Sequence, residues 1–204
     1  MRANSMQQRS QATRAAILAA AGKLFSQHGY DATGVAELCA EAGVSKGAFY
    51  HHFATKQALF LALLNDWLEE LDEQIQSILF TAPDIAEGLV RMAGVAGKMA
   101  GDAGGNLPMF LEFWTQASRD PAVWNATIAP YQRYQRVFAG LIQTGIDEGS
   151  LRVTDPNVAA RLLLGMAVGL LLQASLDPQG ADWPRTIEQS LRLLLGGLEQ
   201  RSDE

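Results

Sequence analysis

Cysteine is nearly absent: Cys39 is the single one in 204 residues. No disulfide can close within one chain, no cysteine cluster can hold a metal, and the pattern fits a reducing compartment. Histidine is scarce too, with His28, His51 and His52. Neighbours on a helix point about 100° apart, so His51 and His52 do not readily share an ion. Zinc wants three or four converging ligands, and neither a metal nor a cofactor is expected. Long apolar runs are missing. The richest, "LLLGMAVGLLL" at Leu162–Leu172, has eleven residues, well short of the ~20 that span a bilayer, and reads as a buried helix. No membrane partner is expected. The start, "MRANSMQQRS", lacks the apolar core of a secretory leader, which predicts a cytoplasmic protein. A nucleophile–base pair and a glycine-rich phosphate loop are also missing, which argues against an enzyme.

Helical spacing dominates what is there. Apolar residues make up 48 % of the chain, enough for a substantial core. Ile17, Leu18, Ala21, Leu24 and Phe25 follow the helical repeat over about 9–27, and Gly29 is a natural stop. Val35, Leu38, Cys39 and Ala42 predict a short second helix, "VSKGAFYHH" a third, and Thr55 can cap a fourth from Lys56 to about Phe80. Further helices are expected over about 84–101, 104–118, 121–148, 156–175 and 184–200, separated by the turn-rich "GDAGGN", "RDP", "DEGSLRVTDP" and "DPQGADWP". The expected fold class is all-α, with about nine helices.

Charge is unevenly spread. Residues 1–56 carry six Lys/Arg against three acids, and residues 57–204 carry ten against nineteen. A basic module that meets a polyanion and an acidic body that does not would show this asymmetry.

The basic module contains "VAELCAEA", the turn "GV" and "SKGAFYHH". Gly43 sits where a tight interhelical turn needs a positive φ. The Ser45 hydroxyl can cap the following helix, and Cys39 is small where two crossed helices approach. This is a helix-turn-helix pattern, whose second helix enters the DNA major groove. Phe49 and Phe53 are four apart and share a face, the expected core pair; Lys46 and Tyr50 share another, which is expected to face outward.

Residues 13–60 resemble the DNA-binding domain of the TetR (tetracycline repressor) family, through "ILAAAGKLFSQHGYDAT" and "AEAGVSKGAFYHHFATKQALF". The resemblance implies a dimeric all-α regulator, with a helix-turn-helix DNA-binding domain over 9–55 and a ligand-binding and dimerisation domain over 56–204. At the matching positions it implies DNA contacts from Lys46, Tyr50 and His51, and Ser45, Gly47 and Ala48 beside them are further DNA-binding candidates. Gly34, Cys39 and Ala48 depart from the threonine, the alanine and the threonine or serine usual there. The "RDP", Tyr131, "EGSL" and "DPNVAARLLLG" pattern is similar to BetI-type C-terminal halves.

Two polar residues flank the motif. Lys56 and the open N–H groups of the fourth helix start suit a phosphate. Thr33 reads either as a phosphate contact or as a plain helix cap.

In the body, Met92, Phe110, Trp114, Tyr131, Tyr134 and Phe138 are candidate walls of a pocket for a mostly apolar small molecule. The hydroxyls of Tyr131 and Tyr134 would orient the ligand, and Arg91, Arg133 or Arg136 would answer a carboxylate. "NVAARLLLGMAVGLLLQAS" is apolar almost all round and needs cover on every side. Leu162, Gly165 and Gly169, with Leu191, Leu194 and Leu198 of the last helix, are expected at a twofold interface. The function expected is a ligand-responsive homodimeric regulator, a repressor on a near-palindromic double-stranded operator. The alternative is an architectural or constitutive DNA-binding protein without an effector.

Overall fold

The computed structural model describes residues 2–101 and 121–197, and every regular element among them is an α-helix. In chain order these are α1 (Arg2–His28), α2 (Val35–Ala42), α3 (Lys46–His52), α4 (Lys56–Thr81), α5 (Ile85–Gly101), α6 (Pro121–Asp147), α7 (Pro156–Leu176) and α8 (Trp183–Gly196). The helix expected over 104–118 lies outside the described residues. Most bounds agree with the periodicity within a few residues. The exception is α1, which begins at Arg2 because "ANSMQQRSQATR" holds neither glycine nor proline to stop it.

The chain divides into two units, the first holding residues up to Glu69 with Gly104–Thr127, the second Glu70–Ala103 with Ile128 onward. The first unit is built on Ile17, Ala21, Leu24 and Phe25 of α1, Leu38 of α2, Phe49 of α3, and Leu59 and Phe60 of α4, all buried. Each of the leucine, isoleucine and phenylalanine side chains contributes about 1.5–3 kcal/mol of burial. The rings of Phe25, Tyr30 and Phe60 pack mutually at 5.4–6.0 Å between centroids. On the surface, Lys23 pairs with Glu41, and His28 Nδ1 lies 3.0 Å from Glu37 Oε1, linking α1 to α2. Exposed pairs of this kind are worth ~1 kcal/mol at most.

In the second unit, α5 packs along α8. A Cβ on Gly97 would sit 3.1 Å from Pro184 Cα, a tight contact that the glycine relieves. The "EGSL" turn after α6 has a physical reason at each position. Glu148 Oε1 accepts from the Ile85 N–H at the start of α5 (2.7 Å) and from Ser150 Oγ (2.7 Å). Gly149 has φ +82°, and Leu151 is buried against Gly145. The loop before α8 is tied by Trp183 Nε1 donating to Asp177 O at 2.9 Å.

Helix α7 corrects the reading of its apolar run. It is 21 residues long with mean hydropathy 1.7, so by length and composition it is able to cross a membrane, and only 33 % of that stretch is buried inside the chain. Ala159, Ala160, Leu163, Leu171 and Ala174 face the unit's core, while Val158, Leu162, Leu172 and Leu176 are exposed. The helix therefore has a narrow core face and a broader apolar face that its own chain leaves open.

Candidate nucleic-acid interface

The turn between α2 and α3 closes as the sequence predicts. Gly43 is left-handed at φ 65°, ψ 32°, its N–H donates to Ala40 O, and the Val44 N–H donates to Cys39 O at 3.0 Å. These bonds satisfy carbonyls that a helix end leaves open. Ser45 Oγ accepts from the Ala48 N–H at 3.1 Å and caps α3. Gly34 begins α2 without a side-chain cap.

Phe49 is fully buried and Phe53 nearly so, their rings 6.2 Å apart, and they fix the rotation of α3. Lys46, Tyr50 and His51 consequently emerge on the exposed side, with Ser45 and Gly47 exposed and Ala48 half-buried beside them. Tyr50 is 53 % exposed, an unusual position for an aromatic ring, and it rests edge-on against Phe49 at 5.3 Å. A cationic tip and a phenol on one outward helix face are donors for phosphate and base edges.

Two candidates turn inward. Thr33 has no exposed surface, and its Oγ1 donates to Gly29 O at 2.8 Å, so its hydroxyl faces the end of α1 and does not cap α2. Lys56 Nζ donates to Tyr30 O (2.7 Å), Thr33 O (3.0 Å) and Asp31 O (3.4 Å). Composition also passed over Arg14, whose guanidinium stacks on the Phe53 ring at 5.6 Å. Its partner is 39 positions away, and no local pattern marks such a pair.

The other candidates lie in the second unit or outside the described residues. Met92 and Tyr134 are buried, Tyr131 and Phe138 are half-buried, and Phe110 and Trp114 lie outside the described residues. Tyr134 Oη donates to Asp72 Oδ1 at 2.7 Å, while Arg133 holds Asp72 Oδ2 at 2.7 Å. Burial, and then the bond to Asp72, push the Tyr134 phenol far above its ordinary value; the same carboxylate raises Arg133. Arg91 is held by Glu87 and by Thr81 O. An open groove of about 480 Å³ runs between α5 and α8, lined by Arg91, Arg185, Glu188 and Arg192 among others, away from the aromatic candidates. Among the described residues no three His, Cys, Asp or Glu side chains converge on a metal position.

Of the candidate interface residues, Leu162 is exposed, and a Cβ on Gly165 or Gly169 would meet nothing within 4 Å. Leu191 is instead 6 % exposed and belongs to the unit's own core, because α8 turns Ile187, Leu191 and Leu195 inward. Leu194 is half-buried, and Leu198 lies outside the described residues.

Residues 17–63 match the family described as bacterial regulatory proteins, tetR family, and residues 105–198 match the C-terminal part of BetI-type transcriptional repressors, together more than half of the chain. The chain belongs to the TetR family. Relatives described as HTH-type transcriptional regulators extend along most of its length. It is 27 % identical over 201 residues to the HTH-type transcriptional regulator UidR of Escherichia coli strain K12, covering 96 % of this chain and 97 % of that one. Its fold is similar to that of a transcriptional regulator from Saccharomonospora viridis solved with choline (TM-score 0.80, 24 % identity, 92 % and 98 % of the chains covered). It is similar again to the regulator FadR from Bacillus subtilis solved with stearoyl-CoA (TM-score 0.79, 20 % identity, 89 % and 97 % covered). This TetR-family chain is a transcriptional regulator with an α-helical DNA-binding motif, and α3 is the helix that presents that motif's exposed face.

Proposed function

We propose that this TetR-family regulator is a homodimeric repressor that binds a near-palindromic operator and is released from it by a small, mostly apolar effector. Residues 9–55 read DNA, and residues 56–204 carry dimerisation and effector binding. The observation that carries the DNA reading is the outward pair Lys46 and Tyr50 on a helix whose rotation is fixed by buried Phe49. Two copies of α3 enter successive major grooves when they stand about 34–36 Å, or a multiple, apart.

The dimer rests on a stripe of α7. Val158, Leu162, Gly165, Gly169, Leu172 and Leu176 recur at alternating steps of four and three, and the four bulky members are exposed. That repeat is the one by which helices pack along a shared seam, and it fits a second copy of the same stripe. The repressor assignment draws on the BetI-type description of residues 105–198. The effector draws on the choline and stearoyl-CoA held by regulators of similar fold and on the half-buried rings of Tyr131 and Phe138. Such a ligand acts by binding the DNA-free arrangement more tightly than the DNA-bound one.

The test is retention of a fragment selected from the source genome by the purified protein. Lys46→Ala and Tyr50→Phe are expected to weaken retention while melting with the parent protein. Early melting of either variant, or unchanged retention by both, contradicts the assignment of this face.

A further inference from the structure

We propose that the exposed start of α1 is a second DNA-contacting element: Gln7, Ser10, Gln11 and Arg14 form one stripe that follows the phosphate backbone beside the groove α3 enters. This rests on the DNA-binding reading above and adds a contact outside the helix-turn-helix. Among the described side chains, Ile17 is the first that α1 buries in the core. Every residue from Met6 to Ala12 is exposed. A helix this short is marginal in water by itself, and this one is propagated from the buried half of α1.

Three contacts say where the arm goes. Read backwards from the end of α1, His28 meets Glu37, Lys23 meets Glu41 and Arg14 lies over the Phe53 ring. The partners advance steadily along the helix-turn-helix, so the residues ahead of Arg14 continue past the end of α3. Phe53 lies 6.2 Å from Phe49, on which the exposed Tyr50 rests. The arm therefore leaves the unit beside the face that carries Lys46 and Tyr50.

The contact with Phe53 also fixes which side of α1 looks that way. Residues 7, 10, 11 and 14 fall within an arc of about 100° on a helix, and here they are Gln, Ser, Gln and Arg, all exposed. These are donor side chains of the kinds that hold phosphate oxygens. A guanidinium laid on a ring keeps its N–H edge free for a bidentate partner. The first carboxylate in the chain is that of Asp31, so no acid within the arm competes for it. Among the described residues neither Arg9 nor Arg14 pairs with a carboxylate. Arg9 lies on the opposite side of the helix from the stripe.

That opposition supplies the test. Melting temperature and the salt dependence of binding are read for three variants on two duplexes: a genomic fragment selected by the parent protein, and one of unrelated sequence, which presents the same phosphates. Arg14→Gln is expected to lower the slope of log affinity against log salt by about one and to weaken binding about tenfold. Gln11→Lys adds a cation to the stripe, and is expected to raise the slope by about one and to tighten binding. Arg9→Gln removes the same charge as Arg14→Gln from the far side, and is expected to keep the parent slope. Parent-like slopes in both Arg14→Gln and Gln11→Lys overturn the proposal. So does an equal loss of slope in Arg9→Gln, which marks a diffuse field and not a contact. Should Arg14→Gln melt early for want of its contact with Phe53, Gln11→Lys alone decides. If the parent protein retains no genomic fragment, the operator reading fails and the stripe is judged on the unrelated duplex; binding to neither overturns both.

Discussion

The Tyr134 hydroxyl donates to Asp72 from a ring that is 8 % exposed. Burial of the phenol, and then this bond to a carboxylate, hold the proton on well above the ordinary value of 10.0. Below pH 10 the group is neutral in both folded and unfolded chains, and its contribution to stability is complete. Above pH 10 the unfolded chain ionises first and binds fewer protons, so stability falls as pH rises. Tyr134→Phe should therefore show a shallower alkaline loss in urea titrations between pH 9 and 11, while costing about 1.5–3 kcal/mol at neutral pH from the lost bond to a charged partner. A profile parallel to that of the parent protein would contradict the assignment. Lys46→Ala should lower the salt slope of DNA binding by about one, the signature of one lost phosphate contact. An unchanged slope with relaxed base preference would make Lys46 a base reader instead. Thr33 and Lys56 show why single polar residues read poorly from sequence. Thr33 meets Gly29 O four positions back, and Lys56 meets Tyr30 O twenty-six positions back. Residue type names a donor, but tertiary structure supplies its acceptor.

Elements were more legible, because their signals are local. The α2–turn–α3 motif follows from one glycine needing a positive φ, one serine cap and two phenylalanines four apart, and each takes its expected place. The end of α6 depends on packing that no window of sequence contains. A Cβ on Gly145 would fall 2.7 Å from Leu151 Cδ1 and 3.3 Å from Ile85 Cβ, whereas one on Gly140 would meet nothing within 4 Å. Alanine gains roughly 0.5–1 kcal/mol over glycine inside a helix, and overpacking costs about 1–3 kcal/mol. Gly145→Ala is thus expected to destabilise and Gly140→Ala to stabilise by roughly 0.5–1 kcal/mol. The two urea midpoints should move in opposite directions, and movement in the same direction would show that Leu151 yields freely. The apolar run in α7 was visible, but not its two unlike faces: a sequence nearly uniform in hydropathy does not say which side its own chain covers.

For the whole molecule, the proposed dimer through the open stripe of α7 would tie assembly to DNA binding. Because a side chain at position 165 meets open space within its own chain, Gly165→Leu should leave the protomer folded and disturb only a symmetric neighbour. Sedimentation should find monomers, with DNA binding lost although residue 165 is far in sequence from α3. A well-folded dimer with parent-like affinity would move the interface elsewhere. The central claim, a dimer reading a two-part operator, is tested most directly by selecting bound fragments from the source genome and footprinting them. The account predicts enriched fragments sharing a near-palindrome, protected over two half-sites whose centres lie about 34–36 Å or a multiple apart. No enrichment over bulk DNA, or protection of a lone half-site by one protomer, would contradict it.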